Sequence, residues 1–547
     1  MAILNHFCFV LAFFLAVCFP AAGSLRAADF TPDSDYLQDR AALEELQRDC
    51  FRYMWEFGDP ASGMAYEANF NWDTVPVAVG GTGFGIAAVV VASDRGWISR
   101  EEAVQRLLKI ALFLRDKTPR ADLHGAFPHW LNGNTGAIIS FGKNDEGADI
   151  VETSLLMQGL LIARAYFNGP GAERELRSII TGLWEEVDWN WFTNGKNNGL
   201  YWQWSAKGGF PPELKILGFN ECMITYVLAL SSPTHPISRQ DYDFWTSGRG
   251  YQPKELYGYR VEAALPGGGP LFLTQYSFIG ADPRRMADEF VPGGYFARNV
   301  KHVLSNRGYC LQSAPAGNRY SAGYWGLTAS QIKNGYAAGE PKNDPGAIGP
   351  TGALASMPYT PFYSMQVLRN LRGGLKEKVW GPYGPYDAFS LRDDWVSDRY
   401  LAIDQLPIVC MVENYRSGLL WRLFMSVPDI RAGLRLAGVV EPKFASGFPE
   451  AVVTQKKGNR YVPDACDLLR HPDSGEYSVP YWSEEAGAVF FSITDTNGVQ
   501  LYAEQRQAAP GRNYLDFPMF RPADGETLIL IMRDAQGEEH RLPVRLN

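Results

Sequence analysis

Lys143-Asn-Asp-Glu-Gly-Ala-Asp-Ile-Val-Glu-Thr-Ser-Leu-Leu-Met-Gln-Gly-Leu160 runs a group of carboxylates directly into an apolar helical pattern. From Asp149 onward, Ile150, Leu155, Leu156, Leu160 and Leu161 recur at helical spacing, so a helix is predicted here. If that geometry reaches back through the segment, Asp145, Asp149 and Glu152 fall at i, i+4 and i+7 and share one stripe. Carboxylates at a helix N-terminus, where the dipole favours negative charge, suit acid–base work on an uncharged substrate. The same residues also read as a plain helix start, because Asp149-x-x-Glu152 has the form of a capping box.

On either side the chain alternates helix patterns with aromatic loops. Residues 36–57 place Leu43, Leu46, Cys50, Tyr53 and Phe57 on one helical face and stop at Gly58-Asp-Pro60. Further helical patterns cover 100–115, 172–187, 295–304 and 359–371. Residues 82–92 are glycine-rich but lack the G-x-G-x-x-G spacing of a cofactor loop, and they read as helix packing. Asp188-Trp-Asn-Trp-Phe192, Gly199-Leu-Tyr-Trp-Gln-Trp204, residues 267–278 and residues 380–389 are the aromatic loops. A second helix is predicted over 218–230, with Asn220 as N-cap and Glu221 in its first turn. Carboxyl groups on two separate helices can flank a glycosidic bond, one protonating the leaving oxygen while the other activates water; alone, Glu221 is equally a dipole-stabilising acid.

Helix after helix with loops between them, about a dozen segments in all, predicts a mainly α fold arranged as two concentric rings, an (α/α) toroid. Beyond residue 436 the composition changes to short β-branched runs such as Gly487-Ala-Val-Phe-Phe-Ser-Ile-Thr494 and Thr527-Leu-Ile-Leu-Ile-Met532. These predict a small accessory β-sandwich over 437–547, with the toroid at 37–435.

A chain of 547 residues with 46% hydrophobic content has ample material for a large core and favours two domains. Its formal net charge of -9, without a basic tract, argues against nucleic acid and anionic membrane surfaces as partners. The 15 Trp, 27 Tyr and 31 Phe exceed what loops normally carry, and flat pyranose faces are natural partners for those not spent on the core. Residues 1–28 read as an export signal, an apolar run too short to span a bilayer followed by Ala21-Ala-Gly-Ser24, which places the mature protein in the periplasm or outside the cell. Cys18 raises a lipid anchor, which Val17 immediately before it disfavours. The remaining cysteines show no paired motif, and the seven His show no ligand-spaced cluster, so neither a disulfide framework nor a zinc site is expected.

With these residues assembled, the chain resembles the glycoamylase-like domain group, and within it glycoside hydrolase family 144, the bacterial β-1,2-glucanases. The resemblance spans about residues 37–432. It rests on Phe51-Arg-Tyr-Met-Trp-Glu-Phe57, Asp59-Pro-Ala-Ser-Gly63, the acids of 145–152, Ser231-Ser-Pro-Thr-His-Pro236, Tyr324-Trp-Gly-Leu-Thr-Ala329, Pro350-Thr-Gly-Ala-Leu-Ala355, Asp404-Gln-Leu-Pro407 and Glu413-Asn-Tyr-Arg416. It implies an (α/α)6 barrel, hydrolysis of β-1,2-glucan with inversion, and importance for Asp145, Asp149, Glu152 and Glu221. Glu221 is the expected general acid, Asp145 or Asp149 the general base, and Glu152 their support. Trp130, Trp202, Trp204, Tyr276, Trp325, Tyr386, Glu413 and Arg416 are the expected substrate contacts. No cofactor and no metal are expected, and the protein is expected to be a monomer. Endo action is preferred; exo release of sophorose and a non-catalytic glycan-binding protein are the alternatives.

Overall fold

The computed structural model describes residues 34–70, 74–142 and 145–440, and the strands between residues 454 and 545. The expected export signal, residues 1–28, and Cys18 within it lie outside the described residues. Fourteen α-helices occur among the described residues. In chain order they are α1 (Ser34–Glu56), α2 (Val79–Asp94), α3 (Arg100–Asp116), α4 (Ile150–Tyr166), α5 (Ala172–Glu186), α6 (Met223–Ser231) and α7 (Arg239–Thr246). They continue with α8 (Tyr295–Gln312), α9 (Pro350–Leu354), α10 (Pro361–Arg372), α11 (Lys376–Val379), α12 (Ala402–Arg416), α13 (Leu419–Ser426) and α14 (Pro428–Leu436).

Sequence pattern separates these helices into two kinds. α2 and α4 are apolar all round and buried through almost their whole length, as a helix enclosed by others must be. α3 and α5 bury only one stripe, Leu107, Ile110, Ala111 and Leu114 in one and Leu176, Ile180, Leu183 and Trp184 in the other, and they pack on each other. α3 also begins as a full capping box, Ser99 and Glu102 each accepting the other's backbone N–H. α2 lies against α4, α12 and α1, and α4 continues the inner layer to α6 and α13. The result is a mainly helical body with one large core and a small separate cluster at Leu256, Val261 and Ala264.

The α2–α4 crossing explains the glycines of residues 80–85. A Cβ on Gly83 would sit 2.2 Å from the Leu155 carbonyl oxygen, and one on Gly159 2.0 Å from the Gly83 carbonyl oxygen. The two backbones touch where only hydrogen fits. The starts of both helices are tied to common loops: Val77–Ala78 pairs with Trp130–Leu131, which pairs with Ile138–Ile139, and Ala148–Asp149 pairs with Gln203–Trp204.

After α14 the chain is β-structured. Leu469–Arg470, Tyr477–Ser483 and Gly511–Phe517 form an antiparallel three-stranded sheet. A four-stranded antiparallel sheet has the order Gln500–Ala508, Gly487–Thr494, Thr527–Arg533, Glu539–Arg545. Phe491 faces Met532 and Ile493 faces Leu530 across two of its strands, and all four are buried, so at least one face of this sheet is covered.

Candidate active site

Asp149 is not inside the helix it introduces but caps it. Its Oδ1 accepts the N–H groups of Val151 and Glu152, both at 2.9 Å, and this fixes Oδ2 towards the Trp202 indole N–H at 3.2 Å and His129 Nδ1 at 3.3 Å. The capping box is only half formed. Glu152 reaches back not to Asp149 but across to α2, where its Oε2 accepts the Gly80 N–H at 2.7 Å. Position 80 has to be glycine here, because a Cβ would lie 2.5 Å from that oxygen.

Asp145 does not share the helical stripe expected for it. The chain from Ala148 is held in strand pairing with Trp204, and α4 starts only at Ile150, so Asp145 comes from the preceding turn. It nevertheless reaches the same place, with Oδ2 3.5 Å from His129 Nδ1, while Glu152 Oε1 lies 3.9 Å from His129 Nε2. His129 is the residue that sequence reasoning missed. It sits in the loop 124–131, unremarkable by spacing, and corrects the expectation that no histidine has carboxylate partners.

The charges in this cluster shift one another. Burial pulls the His129 imidazole down, but Glu152, Asp149 and Glu67 together outweigh it and hold the group up to about 10, so it is an imidazolium at neutral pH. Burial, reinforced by Asp149, pushes Asp145 up to about 7 against the opposing pull of His129. Burial likewise raises Glu152 and Glu67, with His129 opposing both. Among these acids Asp145 stands apart: it is 4% exposed, and no donor among the described residues stands in close hydrogen-bond geometry to either of its oxygens, Gln203 being the weakest of the influences on it.

Glu221 also departs from its expected place. Asn220 Oδ1 accepts the Cys222 N–H at 3.0 Å, an Asx turn, so α6 starts at Met223 and Glu221 occupies the turn before it. Its carboxyl is raised by burial, opposed only by a backbone N–H. Glu221 and Asp149 both act on the Cys222 thiol, which burial pushes up first. Tyr276 links Glu221 to a further acid pair, Asp387 and Asp404, since all three carboxyl groups act on its hydroxyl. Both members of the pair are raised by burial, Asp404 the more strongly because it faces Asp387. One proton held between two such groups satisfies both. Asp404 begins α12 and appeared in a quoted motif, yet its partner lies in the loop 380–389, so only folding reveals the pair.

A family model named Glycoamylase, described as "Putative glucoamylase", matches residues 213–428, the segment that carries Glu221, Asp387 and Asp404. The crystal structure of an endo-β-1,2-glucanase from Chitinophaga pinensis, in complex with sophorotriose and glucose, is 43% identical with a TM-score of 0.71. That likeness covers 74% of this chain and 99% of the other. The chain belongs to the glycoamylase-like family. Another relative, an exo β-1,2-glucooligosaccharide sophorohydrolase (non-reducing end) from Parabacteroides distasonis, is 41% identical over 424 residues, 73% of this chain. This chain spans 58% of the length of that protein. A β-1,2-glucanase structure from Parabacteroides distasonis is 39% identical with a TM-score of 0.70, covering 73% of this chain and 60% of that one.

In this member of the glycoamylase-like family the expected sugar contacts divide. Trp130 and Trp202 stand at the acid cluster, Trp130 edge-on to His129 at 5.8 Å between ring centroids and Trp202 through its bond to Asp149. Trp204 is half-buried with Trp191, Phe210 and His124 around it. Tyr276 is largely buried, stacked on Phe272, with its hydroxyl among the acids. Tyr386 is half-buried against Tyr400 and adjoins Asp387. Three others do not belong to a sugar site. Trp325 is fully buried in the core. Glu413 faces the body of the protein, bonded to Arg95 at 2.8 and 3.0 Å and to Gln47, while Arg416 is spent on Glu44 and Gln47. These two clamp α12 to α1 and to the end of α2, which is why they look motif-like in the sequence. Phe141 was not foreseen: 53% exposed, it stacks flat on His129 at 4.1 Å.

Proposed function

We propose that this protein hydrolyses β-1,2-linked glucan with inversion, endo action preferred, in a body closed as an (α/α)6 barrel. The two C-terminal sheets pair as a β-sandwich in this reading, residues 1–28 direct export to the periplasm or beyond, without a lipid anchor at Cys18, and the protein is a monomer. The relatives support the substrate class, since those at 39–43% identity are named for β-1,2-glucan or its oligosaccharides. The observation that carries the chemistry is the contrast between Glu221 and Asp145. Glu221 is raised by burial with no cation among its influences, the condition for a carboxyl that holds a proton and gives it to a leaving oxygen. Asp145 has two oxygens without a close donor among the described residues, beside an imidazolium, the condition for a carboxylate that takes a proton from water. Asp149 is less suited to that step because a helix start and an indole already occupy its oxygens. General base therefore falls to Asp145, with Asp149 and Glu152 fixing His129 beside it.

The test is the product mixture from linear β-1,2-glucan, read for chain length and anomeric form. A ladder of oligosaccharides with inverted anomers is expected. Sophorose alone from the first minutes would move the protein to exo action, the reading favoured by its likeness to the Parabacteroides distasonis sophorohydrolase. Retained anomers would remove the inverting assignment.

A further inference from the structure

We propose that His129, Asp145 and Asp149 form a binding site for a divalent cation of the zinc type. The donor atoms are His129 Nδ1, Asp145 Oδ2 and Asp149 Oδ2, all within 4.8 Å of one another. Nδ1 stands 3.5 Å from the first oxygen and 3.3 Å from the second. Ligands on a tetrahedral ion with bonds of about 2.0–2.1 Å lie about 3.3 Å apart, so the two distances from Nδ1 match a shared zinc ion, with the carboxylates closing on it as binding requires.

A second observation, independent of the grouping, points to a ligand. Asp145 is more than nine-tenths buried, no donor among the described residues stands in close hydrogen-bond geometry to either of its oxygens, the Gln203 side chain being the weakest of the influences on it, and one oxygen faces the His129 ring. A carboxylate taken out of water without hydrogen bonds is costly, and a cation at this point removes the cost. Asp149 is ready for the same partner, because its capping oxygen is occupied and the other faces Nδ1 with the Trp202 N–H as a second donor. Behind the ring, Glu152 Oε1 lies 3.9 Å from Nε2, where a carboxylate orients a metal-bound imidazole. The imidazole nitrogen is what disfavours calcium and magnesium, which take oxygen ligands. One imidazole nitrogen and two carboxylates suit zinc, with a fourth position left open.

Binding requires that Nδ1 present its lone pair, so each ion bound to the imidazolium form releases one proton to solvent. Because the ion would occupy Asp145, it would also switch off hydrolysis; that consequence rests on the function proposed above, whereas the binding does not. The experiment is calorimetric titration of zinc chloride into the full chelator-stripped chain at neutral pH, repeated with Asp145→Asn and His129→Gln and with magnesium chloride. One zinc per chain is expected, weakened about 100-fold or more in either variant, with no magnesium heat. Absence of zinc binding to the wild-type chain, or wild-type affinity retained in both variants, overturns the site. Should His129→Gln fail to fold, Asp145→Asn decides alone, since it keeps the shape of the side chain and removes only its charge. Glucan hydrolysis by the metal-free enzyme is measured separately, so failure of the site and failure of the proposed function remain distinct.

Discussion

Asp145 and Asp149 touch one imidazole and differ in everything else that holds them, so their substitutions should separate catalysis from stability. Asp145→Asn is expected to lower kcat about 10²-fold to 10⁴-fold without lowering the melting temperature, because it keeps the shape and removes a buried charge that no close donor among the described residues compensates. Asp149→Ala removes the cap of α4 and is expected to cost about 1–2 kcal/mol, read as a lower melting temperature, as well as activity. Glu221→Gln should lose a similar 10²-fold to 10⁴-fold in turnover while melting as the wild type does. Full activity in the Asp145 or Glu221 variant would strike that residue from the mechanism. The pH dependence has a definite sign. Asp145 is raised from 3.8 to about 7 on folding, so its contribution is fully present below pH 4 and is lost as the pH rises towards 7; His129, raised from 6.5 to about 10, contributes below pH 6.5 and loses this towards 10. The melting temperature of Asp145→Asn minus that of the wild type should therefore grow between pH 4 and 7, and a flat difference would show that Asp145 keeps its ordinary value. At this scale the sequence displayed the acids and their order but not His129, whose partners come from chain positions 16, 20 and 23 residues further on. Nor did it show that Glu413 and Arg416 face inward, since a buried ion pair and a substrate clamp use the same residue types.

At the scale of elements, the glycines of α2 were legible as packing because no cofactor spacing accompanied them, and the crossing with α4 bears this out. Gly159→Ala would place a methyl group 2.0 Å from the Gly83 carbonyl oxygen, and overpacking of this kind costs about 1–3 kcal/mol. A lowered melting temperature is expected, with a loss of turnover as well, since α4 carries Glu152 and the cap at Asp149. A variant as stable and active as the wild type would mean that the helices can move apart freely. Helix starts were the harder reading. Residues 145–149 satisfy helical spacing, yet Gly147 lies so close to Trp204 that a Cβ would come 2.1 Å from its carbonyl oxygen, and strand pairing there delays the helix. In the same way the Asn220 side chain stops the backbone before α6, which turns Glu221 from a helix residue into a turn residue. Local spacing cannot register the first effect, because the pairing with Trp204 is a tertiary contact, whereas the second is local, an Asx turn in place of the N-cap expected of Asn220.

At the scale of the whole molecule, the helical body ends at Leu436, and Val440 just beyond it pairs with Ala287. A chain ending after residue 440 keeps this pairing and every acid of the cluster. It is expected to retain activity on soluble glucan per folded molecule, measured after correction for any loss of stability; inactivity in a folded truncation would give the strands a part in the cleft. The change in composition that marked this boundary was visible from the β-branched runs alone. One feature of the body reaches further than its stability. The amides of Gly80, Val151 and Glu152 belong to first turns of helices, where N–H groups ordinarily have no partner and trade hydrogen with solvent readily, yet here each is bonded to a carboxylate of the cluster. Their deuterium uptake is thus a gauge of the site's charge state built into the backbone: protonating Glu152 should quicken exchange at Gly80 while Val151, bonded to Asp149, keeps its pace, so the titration of individual acids becomes visible without substrate, label or turnover.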